Sequence, residues 1–337
     1  MRSKKHVTPL YVIFCIALLV LSTIVSFMIF GKRQAPNPLL RGLDRKSFIV
    51  VVGKSDQSAF WQSVASGAHA AAVEYNLDMN FVAPVNEENY EEQNTMIRAA
   101  IMGQARAIIV SAIDYNANAE AVNEAVAAGI PVIVIDSDVN SEGVACRIMT
   151  NNYLAGRMAG EQALRNNEGE LTVGIINYDI NSANGQARER GFCDVVNESG
   201  RVADIYTVNC LSTEESAYDE TTSLLIQHPE INTLAALNEL MSLGSGYAVR
   251  DMGLADSVDI YAFDSNVVSV GMLESGEIEG LVVQNPYAMG YLGVETAYRL
   301  INGLPIQSDH IDTTTTYVSA SNMYDTDIQR MIFRFDS

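Results

Sequence analysis

Basic residues are scarce in this chain, and beyond residue 46 lysine is nearly absent: Lys54 is the only one. Against 21 Lys and Arg stand 41 Asp and Glu, a formal charge of -20. Nucleic acid is therefore not an expected partner, because binding it needs a positive surface that displaces counterions from phosphate. Four cysteines are too few for a disulfide scaffold. The histidines, His6, His69, His228 and His310, are scattered without metal-ligand spacing. Gly53-Lys54-Ser55 mimics the end of a phosphate-binding loop, but Phe48 stands where its first glycine belongs. Gly244-Ser245-Gly246 lacks the third glycine of a dinucleotide fingerprint, and no serine lies in a nucleophile elbow. The expectation is a chain with no cofactor, no metal and no catalytic residue. With 48% apolar residues over 337 positions it is too apolar for native disorder and long enough for one large or two medium domains.

Charge divides the chain near Ser47. Residues 1–46 carry eight basic groups and one acid, whereas residues 47–337 carry thirteen basic groups and forty acids. Residues 10–31 hold no charged side chain and would span about 33 Å as a helix, enough for a bilayer core of about 30 Å. The end of this stretch, Ser26-Phe27-Met28-Ile29-Phe30, offers no small-residue cleavage site, so residues 1–31 read as an uncleaved signal anchor. Lipidation at Cys15 is the rival reading, and bulky Phe14 before it argues against it. Flanking charge alone leans towards a cytoplasmic globular part, but the short basic start resembles an export signal. The expected location is the cell membrane, single-pass, with the globular part outside. Residues 32–46, with Pro36, Pro38 and five basic groups, make a tether that either rests on anionic headgroups or is simply solvated.

From Ser47 onward, short apolar runs alternate with helical segments. Residues 48–52, 107–110, 131–135, 171–176, 259–263 and 280–283 read as strands buried on both faces. Residues 61–75, 89–102, 118–128, 184–196 and 214–228 read as helices between them. Repeated βα units imply parallel sheets covered by helices, and their number suits two similar lobes better than one. Ligands of such sheets bind beyond the carboxyl ends of the strands. There the sequence places Lys54-Ser55-Asp56, Asp136-Ser137-Asp138, Asn177-Tyr178-Asp179, Asn238-Glu239, Asp264-Ser265-Asn266 and Gln284-Asn285. Asp, Asn and Ser are also ordinary turn and cap residues, so the set says more than any member. Lys54 and the single tryptophan, Trp61, flank the first strand-to-helix turn. The pair reads as a hydrogen-bond donor beside an apolar face for a sugar ring, with plain core packing the alternative for Trp61.

Several segments carry a family likeness: residues 52–62 (VGKSDQSAFWQ), 128–137 (AGIPVIVIDS), 151–156 (NNYLAG), 188–192 (RERGF) and 262–264 (AFD). In their order and spacing they resemble the type I periplasmic sugar-binding proteins, the ribose- and galactose-binding class, over nearly all of residues 47–320. The resemblance implies an α/β fold of two Rossmann-like lobes joined by a three-strand hinge, here preceded by one N-terminal transmembrane helix. The lobes would be 47–150 with 287–311, and 151–286 with 312–337. The same likeness implies ligand contacts from Lys54, Gln57, Phe60 and Trp61, from Asp136 and Ser137, from Arg188, and from Asn238, Phe263, Asp264 and Gln284. Ser137 stands where the ribose-binding pattern has Arg, and Cys210 lies where an aromatic is usual, which puts ribose itself in question.

The implied function is an extracytoplasmic receptor that closes on a monosaccharide and delivers it to an ABC permease. The alternative partner is a membrane histidine kinase, to which a tethered receptor would report the sugar. A lactose-repressor-type protein would begin with a basic helix-turn-helix, where this chain has an apolar stretch. An enzyme on the same scaffold would turn its sugar over. Of the remaining cysteines, Cys193 is placed at a helix start and Cys210 at the end of the next strand, which leaves a disulfide between them open. With Cys146 the count is odd, and at least one thiol stays free.

Overall fold

Runs of β-branched residues with no polar member are best satisfied between two covering layers, and such runs form the centre of the first sheet, while the central strands of the second are as deeply buried, apart from the first residue of one. The computed structural model describes residues 47–332. The first sheet contains β1 (Phe48–Val52), β2 (Asp78–Val82), β3 (Ile108–Val110), β4 (Val132–Ile135), β5 (Cys146–Met149) and β11 (His310–Asp312). Its order is β11-β5-β4-β3-β1-β2, and every pairing is parallel. The second contains β6 (Leu171–Asn177), β7 (Val202–Asn209), β8 (Thr233–Ala236), β9 (Asp259–Phe263), β10 (Gly280–Val283) and β12 (Thr316–Val318). Its order is β12-β10-β9-β8-β6-β7, parallel except where β12 meets β10. These are two α/β lobes of like topology, as parallel βα repeats demand.

In the first lobe α1 (Ala59–Glu74), α2 (Tyr90–Met102) and α3 (Ala119–Ala127) follow β1, β2 and β3. In the second, α5 (Ala183–Glu198), α6 (Glu214–Gln227), α7 (Glu239–Asp251) and α8 (Val267–Ser275) follow β6 to β9. Two long helices carry the chain from one sheet to the other. After β5 the chain enters α4 (Asn152–Asn166), which packs on α5, and after β10 it enters α9 (Pro286–Ile301), which packs back on α1. The third passage lies between β11 and β12, where Thr313 N donates to Met149 O and the Thr150 and Thr313 hydroxyls are 3.3 Å apart. A short helix, α10 (Thr326–Ile332), ends the described chain.

The cross-sheet helix pairs approach as closely as backbones allow. A Cβ on Gly67 would lie 2.0 Å from Tyr287 O and one on Gly290 2.0 Å from Val64 O. The second lobe repeats this arrangement: a Cβ on Gly156 would lie 2.0 Å from Arg188 O and one on Gly191 2.0 Å from Tyr153 O. Each crossing therefore depends on a glycine in both helices.

No helix among the described residues is long and apolar enough to cross a membrane. The span expected at residues 10–31 and the tether at 32–46 lie outside the described residues. Cys146, Cys193 and Cys210 are free thiols, so the disulfide left open by the sequence is not formed. Cys193 lies well inside α5 rather than at its start, and Cys210 falls one residue past β7.

Candidate ligand-binding site

The carboxyl ends of the parallel strands of both sheets face one another, and the polar groups that follow those strands line a common cavity. Its empty space, together with the solvent at its open mouth, comes to about 330 Å³. Eight of the eleven residues expected from the sequence line it: Lys54, Phe60, Trp61, Asp136, Arg188, Asn238, Asp264 and Gln284. Three do not. Gln57 is exposed, its amide donating to the neighbouring Asp56 carboxylate. Ser137 is buried behind the wall, where its N–H donates to Ser111 Oγ and its carbonyl accepts from Ala112 N. Phe263 is fully buried and serves as a platform, its ring centroid 4.7 Å from the Arg188 guanidinium carbon. Ser58, Glu87, Tyr178, Asn184, Glu239 and Leu240 complete the lining.

Lys54 follows β1 and is almost wholly buried, so its ammonium needs partners. Glu87 supplies one at 3.0 Å, and Ser182 Oγ, on the opposite lobe, another at 3.3 Å. Burial pulls the lysine's proton affinity down, but Glu87, Tyr178 and Asp136 outweigh it and hold the pKa above its ordinary value. Glu87 also accepts from Trp61 Nε1 at 2.8 Å. The tryptophan is thus fixed by a hydrogen bond and by Phe60, which meets it edge-on at 5.3 Å between centroids. Trp61 both packs in the core and lines the cavity.

Asp136 and Asp264 occupy equivalent places, at the ends of β4 and β9, each the third strand from one edge of its sheet. Both have left-handed backbones, with φ of 57° and 66°. A non-glycine residue there costs about 1–2 kcal/mol, and such strain collects at functional sites. Ser111 donates to Asp136 Oδ2 at 3.0 Å, and the Asn184 amide, from the other lobe, to both oxygens at 3.2 and 3.3 Å. Asn184 Oδ1 in turn accepts from the Tyr178 and Ser182 hydroxyls. Burial raises the Asp136 carboxyl above its usual range against the pull of Lys54 and Arg188. Burial likewise pushes Asp264 up to about 6, against Arg188 and Gln284.

Arg188 sits on α5 where Gly156 of α4 lets the two backbones meet. Its Nε donates to Asn152 Oδ1 at 2.8 Å and its Nη1 to Leu237 O at 2.7 Å, while Asp264 Oδ2 lies 4.0 Å from Nη1. Nη2 is buried with no protein partner. Gln284 donates from Nε2 to Asp264 Oδ1 at 2.6 Å, and its Oε1 is likewise buried without one. Asn238 caps α7 by accepting from Met241 N and turns its amide to Ser212 Oγ. The arrangement brings together a fixed donor, a fixed acceptor and carboxylates, which suits hydroxyl groups that donate and accept at once. Among the described residues no group of His, Cys, Asp and Glu is placed to hold a metal ion.

Comparison with known proteins agrees with this geometry. The chain is 25% identical over 268 residues to the D-apiose import binding protein of Paraburkholderia graminis, covering 78% of each chain. It is 25% identical over 297 residues to the ribose import binding protein RbsB of Salmonella typhimurium, covering 86% of this chain and 95% of that one. A carbohydrate transporter solute binding protein from Agrobacterium radiobacter, solved in complex with D-arabinose, superposes with a TM-score of 0.83 at 29% identity. That match covers 86% of this chain and all of the other. With residues 49–305 matching the periplasmic binding protein domain, and two like lobes facing across a polar cleft, the chain belongs to that family.

Proposed function

We propose that this protein binds one small neutral sugar between its lobes, closes on it without chemical change, and passes it to an ABC sugar permease. The observation that carries the reading is the pair of buried, unpartnered atoms beside Asp264: Arg188 Nη2, a donor, and Gln284 Oε1, an acceptor. A hydroxyl can accept from the first while a neighbouring hydroxyl donates to the second, and Asp264 and Asp136 can take further hydroxyl protons. Phe60 and Trp61 offer apolar surface for ring C–H groups. The relatives named above are import binding proteins for D-apiose and ribose, and the arabinose complex has the same fold, which supports a monosaccharide in this cleft. Closure is a population shift, set by how much better the sugar binds the closed form.

The globular part works outside the cytoplasm, held by residues 1–31 as a single membrane span. That permanent apolar segment favours a second reading of the partner, a membrane histidine kinase, because a tethered receptor cannot diffuse among permeases. Chemical cross-linking in native membranes separates the two, capturing permease subunits in one case and a kinase in the other.

Trp61 is the only tryptophan, so intrinsic fluorescence reads the cleft directly. Titration of the full chain with a panel of pentoses and hexoses is expected to give saturable binding for at least one. Arg188→Ala, Asp136→Ala and Lys54→Ala are each expected to weaken it by at least about thirtyfold, since each leaves a buried charge or polar group unpaired. Unchanged affinity in all three would refute the site.

A further inference from the structure

The first turn of a helix leaves its N–H groups without intrahelical acceptors. In α1 the Trp61 N–H is taken by Ser58 Oγ at 3.3 Å, which leaves those of Ala59 and Phe60. Both are taken by one carboxylate of the opposite lobe: Glu239 Oε1 accepts from Ala59 N at 3.3 Å and Oε2 from Phe60 N at 3.0 Å. Glu239 is itself the first residue of α7, directly after the cap Asn238, and is only 7% exposed. Asn266 Nδ2, on its own lobe, donates to Oε1 at 2.8 Å and so aims the carboxylate.

We infer that Glu239 is a positioning residue for closure, a cap supplied by one lobe to the leading helix of the other, which sets affinity for every ligand of the cleft by the same factor. The inference rests on the sugar-receptor reading above and goes beyond it by separating affinity from selectivity. Both bonds run from protein to protein, so their contribution is the same whichever sugar is held. They also place a negative charge at a helix N-terminus, where it is favoured. When the lobes part, two N–H groups and a carboxylate must find water instead. The apparent dissociation constant is the intrinsic one divided by the closed fraction. Weakening the contact therefore raises the dissociation constant without changing which sugar is preferred. Selectivity stays with Arg188, Asp136, Asp264 and Gln284. Because the contact ends at Phe60, beside Trp61, the same closure seats both aromatic rings against the ligand.

The test is Glu239→Gln in the full chain, with two epimeric sugars that the wild type binds with different affinity. Gln keeps the volume but loses the charge and one of the two acceptors, so a loss of about tenfold is expected for both epimers. Their ratio should be unchanged and dissociation faster. Ala59→Pro reaches the same contact from the other side. Proline suits the first helical position, Ser58 already has the extended backbone that a following proline requires, with φ -88° and ψ 156°, and Ala59 is exposed. It should give the same uniform loss. A changed epimer ratio would make Glu239 a direct ligand contact, and unchanged affinity in both variants would remove its role in closure. Should no sugar bind the wild type, the functional reading fails while this contact is still read by amide hydrogen exchange at Ala59 and Phe60. Faster exchange in Glu239→Gln supports the interlobe cap, and equal exchange overturns it.

Discussion

Asp264 joins strain, burial and charge in one side chain. Its backbone is held in the left-handed region and its carboxyl is buried between Arg188 and Gln284. Unfolded, such a carboxyl titrates at about 3.9; folded, burial moves it to about 6 against the pull of Arg188 and Gln284. Between those values the folded chain keeps a proton that the unfolded chain has lost. Stability should therefore fall as pH rises from 4 to 6 and level off above 6, with this group accounting for about 1–3 kcal/mol. Asp264→Asn has no carboxyl to titrate and should lack that part of the fall. Urea unfolding at several pH values from 4 to 7 measures the difference, and parallel profiles for the two proteins would show that Asp264 is not held protonated.

At the scale of elements, the glycine crossings join fold to site. Gly156 is buried where α4 meets the Arg188 backbone, and an added methyl there would meet a carbonyl oxygen that cannot swing away. Gly156→Ala is expected to cost about 1–3 kcal/mol by overpacking and also to weaken sugar binding by displacing Arg188. Gly169→Ala, where a Cβ would meet nothing within 4 Å, should change neither. Guanidinium denaturation midpoints and a sugar titration on both variants check the contrast. The legibility of the sequence follows the same elements. The runs at β1, β9 and β10 are readable to the residue because both faces of those strands are buried and, apart from Asp259 at the start of β9, every member is apolar or small. The outer strands β2 and β7 are not, because they lie at sheet edges with half or more of their residues exposed to some degree, and DMNFV and VADIYTVN show no apolar run. β8 is fully buried, but TLAA reads as helix as readily as strand. The site inherits these gaps. Asp136, Arg188, Asp264 and Gln284 follow readable elements or family motifs, whereas Glu87 lies past the unread β2. Gln57 is the expected contact, but Ser58, one residue along, lines the cleft instead, since a one-residue step in a turn decides which side chain faces it. Tyr178 and Glu239 stood among the strand-end groups, yet nothing in their types marked them above their neighbours.

For the whole molecule, charge argues what the ligand is not. The chain beyond Ser47 is strongly acidic, and inside the cleft Glu87, Asp136, Glu239 and Asp264 face only Lys54 and Arg188. Lys54 is already paired with Glu87 at 3.0 Å, and Arg188 lies 4.0 Å from Asp264. A sugar acid or sugar phosphate would bring a further negative charge to a cleft whose carboxylates already outnumber its cations, and like charges in a buried site cost several kcal/mol. A uronic acid should therefore bind at least about a hundredfold more weakly than the neutral sugar of the same stereochemistry. Competition titrations measure this, and comparable affinity would show a cation free to receive it.

Calorimetric titration of the full chain and of Arg188→Ala with neutral pentoses and hexoses tests the central claim most directly. Saturable one-to-one binding of at least one neutral sugar to the wild type, lost or weakened at least about thirtyfold in Arg188→Ala, is the predicted result. Flat traces with every sugar, or equal binding by the two proteins, would contradict it.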